Sequence, residues 1–533
     1  MSYIPSDKYN LWPTDEDESL LMPTLMVLIC VSAAYWWLIA RKKSMNKNSD
    51  SDQAPWAPGG IPVLGHALSY RKDPPGFLVQ TRRQCGPVFR LNLAGKEMII
   101  VCGPEEQRQL ANLPESVLSL RKAVGAIGFE QTLGYKNVHT GTQIHKGIVK
   151  AIWNSPKSSN GTSPADEHLA FWQTSIRESM KTELAMIHDG DDMSLKINFF
   201  HLMRRVILRA TIEVFIGKSF LQDWESYDFL KEFMDFQDTL EEVTAKVVVV
   251  PRWLALVAML WPLQRRRERL QLVIQRRLES VLQRKGNCED NDKGIWLREV
   301  LGQNIELSDI AEYIVGLLFA AHKNPAIGSS QSYLLLREFG SEEVLLQCQK
   351  EASILVSRST KIKWSQFKSS FPTLRRACLE SLRLTAHTIG GIRTAQKDLT
   401  VLVKRENCTD VVKKETVYRI PKESSVAFAH ITSSLDSSVW GENAANFDPN
   451  LSRYSDEPYM DDYKFTTFSN GVHKCPGREL AMILLKLTMA LLLTEYDVGL
   501  PEKISPLDFE RATLAQREGP VMVSIVRRQC PQK

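Results

Sequence analysis

The chain has 533 residues, of which 43% are apolar and 24% are charged, a composition ordinary for a folded globular protein. A net charge of only +5, dispersed along the chain, gives no support for nucleic-acid binding, so we predict no nucleic-acid partner. The nine cysteines show no paired spacing, which argues against a disulfide framework and for a reduced, cytosol-facing domain.

The N-terminal region contains one long uncharged stretch, residues 20–40, which is long enough to cross a bilayer as a helix. Acidic residues precede this stretch and basic residues follow it, so the positive-inside rule places the rest of the chain in the cytosol. A cleaved signal peptide is the alternative, but the stretch is long and lacks a basic n-region. We therefore predict a lumenal N-terminus at 1–19, a transmembrane anchor at 20–40, a spacer and hinge at 41–65, and one large domain at 66–533.

The segment at 54–65 is rich in proline, which fixes the backbone and removes hydrogen-bond donors, so it predicts a semi-rigid hinge. The following segment at 86–103 is rich in Val, Ile and Phe and predicts a β-hairpin that turns at Ala94-Gly95-Lys96. From Glu167 onward, apolar residues recur with a spacing near 3.6. This spacing predicts a mainly α domain with a small β portion, with helices at 169–186, 199–216, 227–249 and 265–284.

An apolar segment with two tryptophans, residues 251–262, is followed by the basic run at 265–269. Two interpretations stay open for it. It is either a second membrane-contacting patch, with the basic residues facing lipid headgroups, or a buried helix followed by a solvated face.

A further helical pattern begins near Leu307 and includes Ala320 and Ala321. It continues through Lys323-Asn324-Pro325. Because proline has no N–H, we expect Pro325 to kink this helix. Downstream, Glu380 and Arg383 are three residues apart, so on a helix they share one face.

The most informative segment is 468–477, where Cys475 lies in a loop bounded by Gly and Pro before a strongly apolar helical run. Free N–H groups and the positive dipole end of a helix N-terminus stabilise a thiolate, and a thiolate can be the axial ligand of haem iron. Gly471 and Gly477 would let the backbone turn tightly and lie against a flat macrocycle, where a Cβ would collide.

The pattern Phe-x-x-Gly-x-His-x-Cys-x-Gly in this segment resembles the haem-binding loop of the cytochromes P450, the haem-thiolate monooxygenases, and the resemblance covers residues 54–525. It implies the cytochrome P450 fold for the large domain and haem b as cofactor, with Cys475 as the iron ligand. Among family members the chain looks most like the microsomal type, loosely the sterol 14α-demethylase, steroid-hydroxylase and prostacyclin-synthase groups.

The resemblance also implies roles for other residues. The expected haem-binding residues, besides Cys475, are Phe468, Gly471, His473, Gly477, Arg393 and Lys146. Of these, Arg393 and His473 match positions that bind the haem propionates. Lys146 lies in a helix that lacks the usual Trp, and Lys150 of the same helix stays open as the alternative cation. Glu380 and Arg383 resemble the ion pair that braces the core beneath the haem, with Arg453 as its third member.

The distal helix departs from the family pattern. Most members there read Ala/Gly-Gly-x-Asp/Glu-Thr, in which the acid and the threonine organise protons for oxygen activation. Here Ala320 and Ala321 keep the small positions, whereas Lys323 replaces the acid and Asn324 the threonine. Asparagine still donates and accepts hydrogen bonds, so we expect Asn324 to be catalytic, with Ala320 and Ala321 leaving space above the iron.

The function that the resemblance implies is a single-pass enzyme of the endoplasmic reticulum membrane with a cytosolic catalytic domain. It would oxidise a bulky apolar substrate, sterol-, steroid- or terpenoid-like, with O₂ and electrons from NADPH–cytochrome P450 reductase. The reductase would be a separate chain, because no flavin or nicotinamide fingerprint occurs in this one. Two alternatives stay open: a haem-thiolate isomerase that needs no reductase, and a non-catalytic haem- or sterol-binding membrane protein.

Overall fold

The computed structural model describes residues 52–154, 163–187, 196–222, 228–247, 250, 252–283, 293–357, 362–405, 414–450, 463–510 and 513–528. The anchor predicted at 20–40 and Arg453 lie outside these residues. Among the helices within them, none combines the length and the apolar character needed to cross a bilayer.

The described chain is mainly helical, and its helices are labelled here in chain order. They are Ala67–Lys72 (α1), Pro74–Cys85 (α2), Pro104–Ala111 (α3), Leu120–Ala126 (α4), Phe129–Thr132 (α5), Thr142–Asn154 (α6), Pro164–Ile187 (α7), Phe199–Phe215 (α8), Phe229–Val247 (α9), Arg252–Ala255 (α10), Trp261–Gln283 (α11), Ile295–Leu301 (α12), Leu307–Ala321 (α13), Lys323–Phe339 (α14), Glu342–Leu355 (α15), Trp364–Ser369 (α16), Pro372–Leu384 (α17), His430–Ser434 (α18), Ser437–Trp440 (α19) and Arg478–Glu495 (α20). The four helices predicted from spacing correspond to α7, α8, α9 and α11, which confirms those predictions where the chain is described.

The β portion is small, as predicted. Its strands are Val88–Leu93 (β1), Lys96–Val101 (β2), Leu118–Ser119 (β3), Ile197–Asn198 (β4), Gly390–Ala395 (β5), Leu399–Arg405 (β6), Lys414–Ile420 (β7), Ser425–Phe428 (β8), Tyr496–Gly499 (β9), Leu507–Asp508 (β10), Gln516–Arg517 (β11) and Met522–Arg527 (β12). The largest sheet has the strand order β1-β2-β8-β5-β3, beside the pairs β6-β7 and β10-β11 and the three-stranded sheet β4-β12-β9.

The predicted hairpin is confirmed, because β1 and β2 pair antiparallel with Leu93 opposite Lys96. The two residues between them, Ala94 and Gly95, have φ values of 50° and 91°. Left-handed φ at both central positions gives the two-residue turn whose twist matches that of the strands.

The helical core lies where α8, α14, α17 and α20 pack against one another. Helix α20 is buried along almost its whole length, which explains the nearly continuous apolar run after Cys475. Because Cys475 lies just before this buried helix, its position is fixed by the core.

The predicted kink near Pro325 is present as an interruption of the distal helix. Helix α13 ends at Ala321 and α14 begins at Lys323, with His322 between them at φ −119° and ψ −47°. Pro325 cannot donate a hydrogen bond to the carbonyl of Ala321, and its ring crowds that carbonyl, so the chain breaks one turn before the proline.

The segment after residue 251 forms α10, a π-helical turn at Leu256–Leu260 and the start of α11. Trp253, Val257 and Trp261, spaced four residues apart, are 62%, 66% and 52% exposed, whereas Ala255 and Leu260 are buried. An apolar row in contact with solvent is not a buried helix, so of the two interpretations the structure favours the surface patch.

Candidate functional site

Cys475 lies between a 3₁₀ turn at Gly471–His473 and the N-terminus of α20. Its backbone N–H donates to the carbonyl of Phe468 at 2.8 Å, which closes the loop on itself. The side chain of Cys475 lines a cavity of about 460 Å³, together with Phe468, Gly471, Lys146 and Arg478. The loop therefore presents the sulfur to a partly open cavity.

The two glycines of this loop have different environments. Gly471 has φ +71°, and a Cβ there would stand 2.3 Å from the carbonyl oxygen of Ala111, so it packs against the end of α3 and not against a macrocycle. Gly477 has φ −87°, which any residue adopts. A Cβ at Gly477 would approach within 4 Å only the Sγ of Cys475, at 3.8 Å, so this glycine keeps the space beside the sulfur clear.

That the helix N-terminus helps to hold Cys475 as a thiolate stays a prediction. The residue is exposed to the cavity, while desolvation by the surrounding protein raises the pKa of its thiol. The N–H of Gly477 and the charges of Arg478 and Lys146 act in the opposite direction but do not overcome burial. A thiolate here needs a cation at the sulfur itself, as a coordinated metal would provide.

Arg393, on β5, is a buried cation that has no acidic partner among the residues that the structure describes. It is 4% exposed, and its guanidinium donates to the carbonyl of Ile392 at 2.9 Å. Among the described residues no carboxylate lies within ion-pair distance of it, and burial lowers the pKa of Arg393 to about 10, with the charge of Glu115 opposing. A buried guanidinium is costly without an anion, so this environment fits an anionic group that the chain does not itself supply.

His473 and Lys146 lie in the same electrostatic environment. The pKa of His473 is lowered by burial and by the charges of Arg393 and Lys146, against the opposing effect of Glu115. The Nε2 of His473 lies 3.3 Å from Glu115 Oε2, within ion-pair distance but outside hydrogen-bond geometry. The three residues predicted to bind the propionates, Arg393, His473 and Lys146, are thus close enough to influence one another.

Glu115 was not predicted, and no local spacing in the sequence marks it. Its carboxylate accepts hydrogen bonds from the hydroxyl of Ser119 at 2.6 Å and from the backbone N–H of Arg121 at 2.8 Å. These donors and the nearby His473 lower its pKa, although burial acts against them. One acid, Glu115, faces Arg393 and Lys146, while His473, whose pKa is lowered, adds no charge at neutral pH. The remaining excess of positive charge suits a carboxylate of haem.

A second cavity, of about 390 Å³, lies on the side of the distal helix. Gly316, Phe319 and Ala320 line it from that helix, and Lys146 and His473 line it from the other side. Lys146 therefore contributes to the walls of both cavities. The sulfur, the excess cations and the clear space beside Gly477 together fit a haem group.

The other predicted distal residues have different environments. Ala321 is buried and is not among the residues that line the 390 Å³ cavity. Asn324 is half-buried, and its Oδ1 accepts the backbone N–H of Leu514 at 3.2 Å. Its Nδ2 makes no hydrogen bond within the part of the chain that the structure describes.

Glu380 and Arg383 on α17 are fully buried and joined by two hydrogen bonds, Nε to Oε2 at 2.7 Å and Nη2 to Oε1 at 2.6 Å. The backbone N–H of Asp448 donates to Glu380 at 2.9 Å. The other donors of Arg383 bind backbone carbonyls of the following loops, those of Ser434, Ala444 and Asn446.

The pair therefore connects α17 with residues 434–448, which otherwise contain little regular structure. The guanidinium also lies 5.0 Å from the centre of the Trp440 ring. Arg453, predicted as a third member, is outside the described residues. The carbonyl partners were not predicted, because backbone acceptors leave no residue pattern in a sequence.

Comparison with known proteins identifies related chains. The family model described as Cytochrome P450 matches residues 55–525. The cytochrome P450 monooxygenase pynD of Aspergillus niger is 22% identical, over 95% of this chain and 98% of its own. A sterol 14α-demethylase of Mycolicibacterium vanbaalenii is 22% identical, over 84% of this chain and 91% of its own. An abscisic acid 8′-hydroxylase of Oryza sativa subsp. japonica is 24% identical, over 89% of this chain and 93% of its own.

We predict that Glu380→Ala lowers the free energy of unfolding by about 3–5 kcal/mol, because it leaves the charge of Arg383 buried without its carboxylate. Denaturant titration followed by circular dichroism measures the change. The control is Lys181→Ala, which removes a partly exposed ion pair with Glu178 on α7 and should cost about 0–1 kcal/mol. Equal small effects of the two changes would contradict the proposed role of the buried pair.

Proposed function

Because this chain belongs to the cytochrome P450 family, and is therefore an oxygen-dependent oxidoreductase with a haem-thiolate iron cofactor, we propose that it is a membrane-anchored monooxygenase acting on a bulky apolar substrate. The observation that carries the site is that Cys475 opens on a cavity beside buried cations, of which Arg393 has no carboxylate partner among the described residues. Family members generally take electrons from a separate redox partner. For this chain we propose NADPH–cytochrome P450 reductase.

In this proposal, haem b is held by the Sγ of Cys475, and Arg393, His473 and Lys146 bind its propionates. Phe468, Gly471 and Gly477 shape the loop around the sulfur. When bound, the haem supplies the oxygen-activating chemistry, and the protein supplies position and electrostatics. Glu380 and Arg383, with Arg453 as a proposed third member, hold the loops beneath the cofactor.

The proposed substrate is apolar and sterol-, steroid- or terpenoid-like. The walls of the 390 Å³ cavity include the apolar side chains of Leu120, Val124, Phe129 and Phe319. A more polar cavity of about 740 Å³ shares Glu115, Arg121 and His139 with it. The sterol demethylase and the abscisic acid hydroxylase among the relatives support this class. A product screen against sterols and terpenoids, in membranes that also contain reductase, tests it.

Asn324 is proposed to deliver protons in place of the usual acid and threonine. Because its Oδ1 is held by the N–H of Leu514, the amide orientation is fixed, and Nδ2 is left to bind a water. Ala320, on the cavity wall, leaves room for oxygen beside that water. Ala321 keeps its proposed role as a small residue behind that wall.

Membrane attachment is proposed to have two parts, the anchor at 20–40 and a surface patch formed by Trp253, Val257 and Trp261. The exposed apolar row supports the patch, and so does Arg265, whose guanidinium lies 4.2 Å from the ring centre of Trp261. Tryptophan beside arginine suits the boundary between acyl chains and headgroups. The proposed location is the endoplasmic reticulum, with the domain at 66–533 in the cytosol and 41–65 as its hinge.

We predict that Cys475→Ala loses bound haem, because it removes the sulfur that is proposed as the axial ligand. The reduced carbon-monoxide complex of the wild-type protein should absorb near the wavelength that marks thiolate ligation. The control is Cys85→Ala, which removes a half-buried thiol whose hydrogen bond goes to the carbonyl of Trp56, and it should keep that absorption. A thiolate-type spectrum in Cys475→Ala would refute the assignment.

Deleting residues 20–40 should leave haem binding intact but remove most membrane association. In the deleted protein, Trp253→Ser and Val257→Ser together should weaken vesicle binding further, by about tenfold or more, since each side chain buries apolar area in lipid. Phe339→Ser, which changes an exposed apolar residue elsewhere, serves as the control. Vesicle co-sedimentation measures both effects. Full retention after the deletion would contradict the proposed topology. So would glycosylation of Asn160 in the sequon Asn160-Gly-Thr, because that modification would place the domain on the lumenal side.

Asn324→Leu should lower product formation about 10²–10⁴-fold while haem binding stays intact, because an apolar side chain cannot hold the proton-delivering water. Asn324→Thr should keep substantial activity, since a hydroxyl can serve the same purpose. Product formed per NADPH consumed measures both variants. Unchanged turnover in Asn324→Leu would refute the role of Asn324, and conversion without NADPH would overturn the monooxygenase function in favour of an isomerase.

A further inference from the structure

The interrupted turn of the distal helix is tied to α9 by ion pairs between the buried Lys323 and two partly exposed acids. Lys323 is 1% exposed, and its Nζ donates to Asp238 Oδ1 at 2.7 Å and also to Glu241 Oε2. The same Asp238 accepts from Arg204 of α8 at 2.8 Å through its other oxygen. The lysine that replaces the usual acid therefore reaches two acids on a neighbouring helix.

Two further contacts join the same turn to α9. The amide of Gln237 donates to the carbonyl of Phe319 at 3.3 Å, just before the interruption. The ring of Phe233 meets that of His322 edge to face, with centres 5.6 Å apart. Helix α9 thus contacts the distal helix before, at and after the break.

These contacts replace hydrogen bonds that a continuous helix would make for itself. At the break the carbonyl of Leu318 accepts from Nδ1 of His322 at 2.7 Å, and that of Phe319 accepts from Gln237. Burial alone would raise the pKa of Asp238, but its contacts with Arg204 and Lys323 lower it to about 2, so Asp238 stays ionised at neutral pH. The turn is therefore stabilised from outside the helix.

The turn matters because it carries the wall of the distal cavity. Phe319 and Ala320 line the 390 Å³ cavity, and the ring of Phe319 packs edge to face on Phe129 with centres 5.8 Å apart. Asn324 follows Lys323 directly in the chain. Lys323 itself is absent from that cavity lining, so it acts on the site only through its neighbours.

We propose that Lys323 is a positioning residue, which together with Asp238 and Glu241 clamps the interrupted turn to α9 and thereby fixes Phe319, Ala320 and Asn324. The clamp determines how much space a bulky molecule finds above the cofactor. The proposal rests on the proposed haem site for its link to ligand binding, but the clamp itself is measurable without haem.

The first experiment compares backbone hydrogen exchange in wild-type protein and Lys323→Met. We expect amides of residues 318–324 to exchange at least about tenfold faster in the variant, with the rest of the core unchanged. The matched control is Lys246→Met, which removes an exposed ion pair between Lys246 and Glu242, both on α9. It should leave the exchange rates of residues 318–324 unchanged. Unchanged exchange in Lys323→Met, or an equal loss of protection throughout the chain, overturns the proposal.

The second experiment uses two haem ligands of different size. Titration of the Soret band with imidazole tests access to iron, whereas 4-phenylimidazole also tests the cavity wall. In Lys323→Met we expect the Kd of 4-phenylimidazole to change at least about tenfold and that of imidazole within about twofold, because only the bulky ligand contacts the wall. Equal changes for both ligands overturn the positioning role.

A charge-reversal variant distinguishes a positioning role of Lys323 from a general effect on the stability of the protein. The double variant with Lys323→Glu and Glu241→Lys restores an ion pair with reversed charges, and it should recover part of the lost exchange protection and ligand discrimination.

If Lys323→Met does not fold, Glu241→Gln, which preserves the shape of the side chain, should give a smaller change in exchange confined to 318–324. No change in Glu241→Gln then overturns the clamp. Failure of the wild-type protein to bind either ligand would overturn the haem site and leave the exchange result standing.

Discussion

The guanidinium of Arg383 holds together a part of the molecule that has little regular structure of its own. Backbone carbonyls in buried loops need donors, and Arg383 supplies them at Ser434, Ala444 and Asn446 while Glu380 neutralises its charge. The same helix end also receives the hydroxyl of Thr467, which donates to the carbonyl of Leu382 at 3.1 Å. The loop that carries Cys475 is thus fixed to α17 on one side and to α20 on the other.

Two buried sets of charges in this molecule stand in contrast. Around Lys323 the charges are matched within the chain, because two carboxylates and a second cation, Arg204, complete the cluster. Around Arg393 the described residues supply more positive than negative charge. A matched cluster fixes structure, whereas an unmatched one favours an outside anion. The first therefore maintains the shape of the distal side, and the second selects what the proximal side binds.

Local patterns in the sequence predicted much of this arrangement. The hairpin at Ala94-Gly95, the main helices, the interruption before Pro325 and the shared helix face of Glu380 and Arg383 all depend on residues close in the chain. Contacts between distant segments left no such signal. Glu115 meets His473, and Lys323 meets Asp238, only after folding, and the sequence holds no spacing that pairs them. The contact of Gly471 with Ala111 also left no signal, because Ala111 comes from a distant helix.

The unmatched charge of Arg393 has a consequence for the life of the protein in a cell. A ligand that binds only the folded chain stabilises it by mass action, and here the haem carboxylates would also remove the cost of a buried cation. Newly made chains without haem therefore unfold more often than chains with haem, and proteases degrade them faster. The steady-state amount of this protein would consequently follow the haem supply of the cell, even at a constant rate of synthesis.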